Sequence, residues 1–170
     1  AFLIHKSSIC FLLLYFAKYV RINKLYWSVS IGAIALSFIF RRQFMAFLGE
    51  LLGYESYVDW TGAVGAYTFT LLLTLLYLAT MLLYRKLPQN VDTDYAVVAL
   101  TLAMVFVSFT YVNPSAMRVV QYFSLFIMIL VPKFLQLLDA RSRFLTLCVC
   151  YAVLILPLVS KMPEYAFVFS

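Results

Sequence analysis

Long apolar runs alternate with short polar punctuation along the whole chain. The runs are roughly 16 to 22 residues long and cover residues 2–19, 22–40, 66–84, 95–112, 117–138 and 144–160. A bilayer core about 30 Å thick needs about 20 helical residues, whereas a membrane strand needs only about ten with an alternating pattern. The pattern therefore predicts an all-α polytopic membrane protein, a bundle of about six transmembrane helices within a single transmembrane domain spanning residues 1–170. One longer segment, Arg41 to Gly65, separates the second run from the third. Its "FMAFLGELL" has helical spacing suited to the membrane interface, and its "GYESYVDW" offers aromatic rings suited to headgroups or sugar faces.

Composition agrees: 65% of the 170 residues are hydrophobic and 12% are charged, against roughly a quarter charged in soluble domains. So little polar sequence leaves no room for a soluble catalytic or nucleotide-binding domain, and any activity belongs to the bundle and its loops. The chain opens inside an apolar run, at "AFLIHKSSICFLLLYFAKY", without an initiator Met or a cleavage site, and is expected to be a piece of a longer polytopic protein. Cys10, Cys148 and Cys150 all fall in apolar runs. The CxC spacing of the last two points their thiols to different helix faces, so the cysteines are expected to pack rather than to bridge or bind metal.

The net charge of +6 does not suggest nucleic acid, because the cations sit in small clusters at the ends of the runs. Eight of the 13, namely Lys18, Arg21, Lys24, Arg85, Lys86, Lys133, Arg141 and Arg143, fall on one side of the predicted topology, which is assigned to the cytoplasm. Lys6, Arg41, Arg42, Arg118 and Lys161 fall on the other, with the long loop and both visible ends.

The stretch "YVNPSAMRVVQYFSLF" carries the most suggestive chemistry. Asn113 can cap a helix and Pro114 fits its first position. Arg118 then falls near a helix start that already carries partial positive charge, an arrangement that favours an anion such as phosphate or diphosphate. Gln121 and Tyr122 follow at i+3 and i+4 on the same face. The plain alternative is an arginine that reaches lipid headgroups. His5, beside Lys6, Ser7 and Ser8, lies on the same side as Arg41, Arg42 and Arg118 and is suited to proton transfer or to an interhelical hydrogen bond. With a single His, a His-based metal site is not expected. "DTD", Asp92 to Asp94, fits the pattern that holds a divalent cation against a nucleotide diphosphate, but no nucleotide-binding domain adjoins it, and a solvated loop is expected there. Lys133, after Pro132, is expected to reach the interface. No Ser-His-Asp order, GxSxG elbow, P-loop or GxGxxG occurs.

"FLIHKSSICFLLLY" resembles the His-x-Ser helix of the EpsG-like, Wzy-type polymerases of bacterial exopolysaccharide and capsule. "NPSAMRVVQYFSLFIMILVPKFL" is similar to that family's Arg-bearing helix, and "YESYVDW" and "PEYAF" stand where members carry Tyr-x-x-Tyr-like and Pro-Tyr elements. The similarity covers nearly all of this chain and corresponds to the family's carboxyl-terminal half. It implies polymerisation of repeat units carried on a polyprenyl diphosphate, by glycosyl transfer at the outer face of the plasma membrane. Under it, Arg118 with Arg41 or Arg42 would hold the diphosphate, with Gln121 and Tyr122 beside them. His5, or an acid such as Glu55 or Asp59, would take the acceptor proton, and Tyr54, Tyr57 and Trp60 would stack on sugars. No metal or other cofactor is implied. Membrane lipids and other polysaccharide export or assembly proteins are the further partners. A flippase or transporter for lipid-linked glycan or an anionic solute, and a noncatalytic assembly subunit, are the competing readings.

Overall fold

The structure is a computed structural model, and it describes residues 12–52, 67–144 and 146. The described residues form helices and no strands, as the apolar pattern predicts. In chain order the helices are α1 (Leu12–Tyr15), α2 (Lys24–Ile39), α3 (Arg41–Leu52), α4 (Tyr67–Leu83), α5 (Val91–Val107), α6 (Met117–Ser124) and α7 (Ile127–Gln136). Single 3₁₀ turns extend α4 over Tyr84–Lys86 and α5 over Ser108–Tyr111, and another precedes α6 at Pro114–Ala116.

Two helices are long and apolar enough to cross a membrane, Tyr67–Lys86 and Val91–Tyr111; counting each of two bent pairs as one span gives four. The protein is thus an all-α membrane protein. The first predicted run is described only from Leu12, where α1 and a 3₁₀ turn at Phe16–Tyr19 occupy it, and the sixth lies almost wholly outside the described residues. The three cysteines lie outside them as well.

Up to Val131 the chain forms one compact unit. Its centre is α5, on which Ala96, Ala99, Ala103 and Val107 have no exposed surface. Without hydrophobic drive between helices in lipid, close approach over small residues is what association gains from. α4 turns Leu73, Tyr77, Thr80 and Tyr84 inward at helical spacing and leaves Leu71, Leu72, Leu75, Leu78 and Leu82 exposed. α2 reverses the soluble pattern: Ser30 and Ser37 are buried, while Leu25, Val29, Leu36 and Ile39 face outward.

Side-chain contacts fix the directions. α2 runs parallel to α5, because Tyr26 meets Thr101 and Phe38 meets Tyr111. α4 runs antiparallel to both, with Ser30 bonded to Tyr77 and Tyr111 to Thr70. α6 returns against α5, and Phe123 stacks on Phe106 with centroids 5.5 Å apart. Among the described residues, every buried side-chain nitrogen and oxygen has a hydrogen-bond partner.

Three features depart from straight spans joined by loops. The second run continues past Phe40 into α3, which leaves α2 at 80° and already begins at Arg41. Continuing straight would carry Arg41 and Arg42 onward with the apolar helix; the turn keeps both at one end, and Phe44 stacks on Phe109 at 5.3 Å to hold it. The fifth run, expected as one helix over 117–138, bends by 49° between α6 and α7. There the Gln121 carbonyl receives both the Leu125 N–H at 3.2 Å and the Ser124 hydroxyl at 2.9 Å. Such back-bonding by Ser weakens and bends the ladder. Finally, Asp92 to Asp94 is the first turn of α5 and not a loop. Asn90 caps it by accepting from the Thr93 N–H at 2.9 Å, and two carboxylates complement the positive end of the helix.

From Pro132 the chain forms a second compact unit. It holds the end of α7, Lys133 in the last turn, and a helical segment over 140–144. Arg143 donates from Nε to the Leu135 carbonyl at 2.9 Å and from Nη2 to the Leu138 carbonyl at 3.2 Å. A cation thus satisfies carbonyls at a helix C-terminus. Asp139 opens the following helix and accepts from the Ser142 N–H at 3.4 Å; these bonds from Ser142 hold its carboxyl below the ordinary range.

Candidate functional site

The Arg41 end of the first unit gathers the end of α2, the start of α3, the start of α4, the end of α5 and the start of α6. Tyr111 is where they meet. Its hydroxyl donates to Thr70 Oγ1 at 2.9 Å, its ring stands edge-on to Tyr67 at 5.3 Å, and Phe38 tilts against it at 6.0 Å. The guanidinium carbon of Arg41 sits 5.6 Å from the Tyr111 ring centroid, within cation–π range.

Two residues beyond Tyr111, Asn113 is 2% exposed. Its side chain accepts from the Ser115 N–H at 2.8 Å, and Pro114 takes the first position of the 3₁₀ turn that leads into α6. Cap and proline occupy the places their chemistry predicts, although the turn they open is 3₁₀ before it becomes α-helical. The Val112 and Asn113 N–H groups both donate to the Phe109 carbonyl, at 3.0 and 2.9 Å, so the end of α5 and the start of α6 form one braced corner.

Arg118 and Gln121 lie on α6 and are exposed, and Tyr122 is half-buried. Val120 and Phe123 occupy the opposite face and pack inward with no exposed surface. Arg118, Gln121 and Tyr122 therefore share a helix at the predicted spacing, on the side of α6 turned away from Phe106. Arg42 is exposed on α3, beside Arg41. The structure thus brings Arg41, Arg42 and the start of the Arg118 helix to one end of the unit. His5, Tyr54, Glu55, Tyr57, Asp59 and Trp60 lie outside the described residues.

A second polar cluster runs from the middle of the unit toward its opposite end. Thr101 donates to the Val97 carbonyl at 3.0 Å, so its oxygen receives the Tyr26 hydroxyl at 2.6 Å. Ser30 donates to the Trp27 carbonyl and receives Tyr77 in the same manner. Trp27 stands edge-on to Tyr77 and Tyr84, at 5.7 and 6.0 Å. This cluster locks α2, α4 and α5 together. Among the described residues, no group of three His, Cys, Asp or Glu side chains is placed to hold a metal ion, and Asp94 instead accepts from the Tyr84 hydroxyl.

Sequence reasoning missed Tyr111, Thr70 and Tyr67, which are ordinary polar and aromatic residues within or beside apolar runs. Only their pairing across the bundle singles them out.

No curated protein and no solved structure matches the chain. The family model described as the EpsG family matches residues 1–169, nearly the whole length. The chain belongs to the EpsG family.

Proposed function

We propose that the chain polymerises oligosaccharide repeat units carried on a polyprenyl diphosphate, by glycosyl transfer at the outer face of the bacterial plasma membrane, working as one multi-pass transmembrane domain. The observation that carries this reading is membership of the EpsG family over residues 1–169. Arg41 and the braced start of the Arg118 helix, at one end of the helical unit, give it a physical basis.

In the proposed reaction an acceptor sugar hydroxyl attacks the anomeric carbon of the donor sugar. The bond from that carbon to the diphosphate oxygen breaks, and its electron pair leaves with the lipid diphosphate. Arg118, with Arg41 or Arg42, binds the diphosphate and stabilises the charge that grows on it, usually the largest catalytic contribution. A guanidinium is suited to this because its planar fork pairs with two phosphate oxygens at once. Gln121 and Tyr122, three and four positions on from Arg118 and so about one turn away, add donors on the same face. His5, or Glu55 or Asp59, accepts the proton of the attacking hydroxyl. Tyr54, Tyr57 and Trp60 stack on sugar rings.

The test is repeat-unit polymerisation by the full-length protein carrying Arg118→Lys or His5→Ala. Lys keeps the charge and loses the fork, so polymerisation is expected to fall about 10²-fold with Arg118→Lys. Loss of a general base is expected to cost about 10²-fold or more. Near wild-type chain length with both changes overturns the assigned roles.

Transport of a lipid-linked glycan is the second reading, because broken helices are typical of transporters and two bent pairs, at 80° and 49°, occur here. Against it, the buried hydroxyls of α2, α4 and α5 bond to one another or to backbone carbonyls. Reconstituted protein that moved lipid-linked glycan between leaflets without forming glycosidic bonds would decide for transport.

A further inference from the structure

Tyr111 has no place in the reaction just described, yet it joins the two arginine-bearing segments. Its ring lies under the Arg41 guanidinium, and its hydroxyl is anchored to Thr70 on α4. From Tyr111 onward the backbone is pinned by local bonds: Val112 and Asn113 to Phe109, Ser115 to the Asn113 side chain, and Ala116 to the Asn113 carbonyl at 3.1 Å. That pinned stretch leads directly into α6 and Arg118. The surface on which Arg41 rests and the backbone that carries Arg118 are therefore one piece.

An arginine at a membrane edge has several rotatable bonds and many lipid phosphates within reach. Seating the guanidinium over an aromatic ring, as Tyr111 does for Arg41, removes part of that freedom. A planar fork held in one place can engage a diphosphate in two parallel bonds. Ordering a side chain before the ligand arrives removes that part of the entropic cost of binding. The Thr70 bond fixes the ring, and the Tyr67 and Phe38 rings brace its flanks. We infer that Tyr111 is a positioning residue for diphosphate capture: it holds Arg41 in a register set by the start of α6, so that Arg41 and Arg118 address the same anion. This rests on the reading that Arg41 binds the diphosphate.

The experiment measures binding of polyprenyl diphosphate, with polyprenyl monophosphate as comparison, to the detergent-solubilised full chain. Arg41→Gln is expected to weaken diphosphate binding about tenfold, the scale of one lost charge-assisted pair. Tyr111→Leu is expected to weaken it about three- to tenfold. Tyr111→Phe, which keeps the ring face, is expected to stay within about twofold of wild type. The double variant Arg41→Gln with Tyr111→Leu should bind no more weakly than Arg41→Gln alone, because Tyr111 acts through Arg41. Monophosphate binding should change less in every case. Should Tyr111→Leu fail to accumulate, Thr70→Val tests the same link. It releases the hydroxyl without touching the ring and is expected to weaken diphosphate binding about twofold with Arg41 present and not at all with Arg41→Gln.

Losses that multiply in the double variant overturn the inference, as does wild-type affinity of Tyr111→Leu beside a weakened Arg41→Gln; both leave the function of Arg41 standing. Wild-type affinity of Arg41→Gln itself overturns the reading beneath it.

Discussion

The hydroxyl of Tyr84 donates to Oδ1 of Asp94 at 2.6 Å, tying the last turn of α4 to the first turn of α5 across a connection of only a few residues. A hydrogen bond to a carboxylate is worth about 1.5–3 kcal/mol. Tyr84→Phe is expected to lower stability by about that amount while keeping the ring against Trp27. Thermal melting of the purified protein in detergent checks it, and an unchanged melting temperature would remove the bond from the forces holding α4 to α5.

Tyr26 and Thr101 are the deeper counterpart. Hydrogen bonds between membrane helices average about 0.6 kcal/mol and reach about 1.7 kcal/mol. A double-mutant cycle of Tyr26→Phe and Thr101→Val is expected to give a coupling in that range, read from denaturation midpoints. Strict additivity would mean that neither hydroxyl depends on the other.

Asn113 is the capping side chain at the corner between α5 and α6, and it is buried. Asn113→Ala removes the acceptor of the Ser115 N–H and is expected to cost about 1 kcal/mol or somewhat more. Faster amide exchange at residues 115–118 in the Ala variant than in the wild type is the expected signature, and unchanged exchange there would remove the cap from the forces holding the corner.

The helical segment at 140–144 carries a pH dependence with a definite sign. Bonds from Ser142 lower the Asp139 carboxyl from its ordinary value in the folded protein. Its contribution is therefore complete above the unfolded value of about 3.9 and is lost as the pH falls through the lower, folded value. Amide protection at Ser142 is expected to be level from neutral pH down to about pH 4 and to fall below it. Asp139→Asn retains a capping oxygen that does not titrate there and should flatten the profile, whereas a decline that persisted in this variant would assign the pH dependence to another group.

The long apolar periods were legible from residue types alone, because a bilayer imposes a length and a composition on anything that crosses it. The runs over 66–84 and 95–112 correspond to the two helices long and apolar enough to cross a membrane, and "NP" marks the capped 3₁₀ turn that leads into α6. The bends were not legible. The one after Phe40 depends on Phe44 finding Phe109, and the one after Ser124 depends on a hydroxyl competing for a carbonyl. Hydropathy records neither. The cation pattern placed Arg41 and Arg118 on one side, but the ring between their segments belongs to a Tyr that looks like any other aromatic at the end of a span. Asp92 to Asp94, expected in a solvated loop, shows the same limit: the acids belong to the first turn of α5, which is plain only once Asn90 is seen to cap that helix.

The hydroxyls of α5 have a consequence for biogenesis. Thr101, Ser108 and Thr110 each donate to a carbonyl of their own segment, three or four residues back. Their protons are satisfied before any other helix arrives, so this hydrophobic segment can leave the translocon into lipid alone and wait for its companions. Later association then adds the Tyr26 phenol to an oxygen that still has an acceptor lone pair, and the most enclosed helix of the unit need not be the last to enter the bilayer.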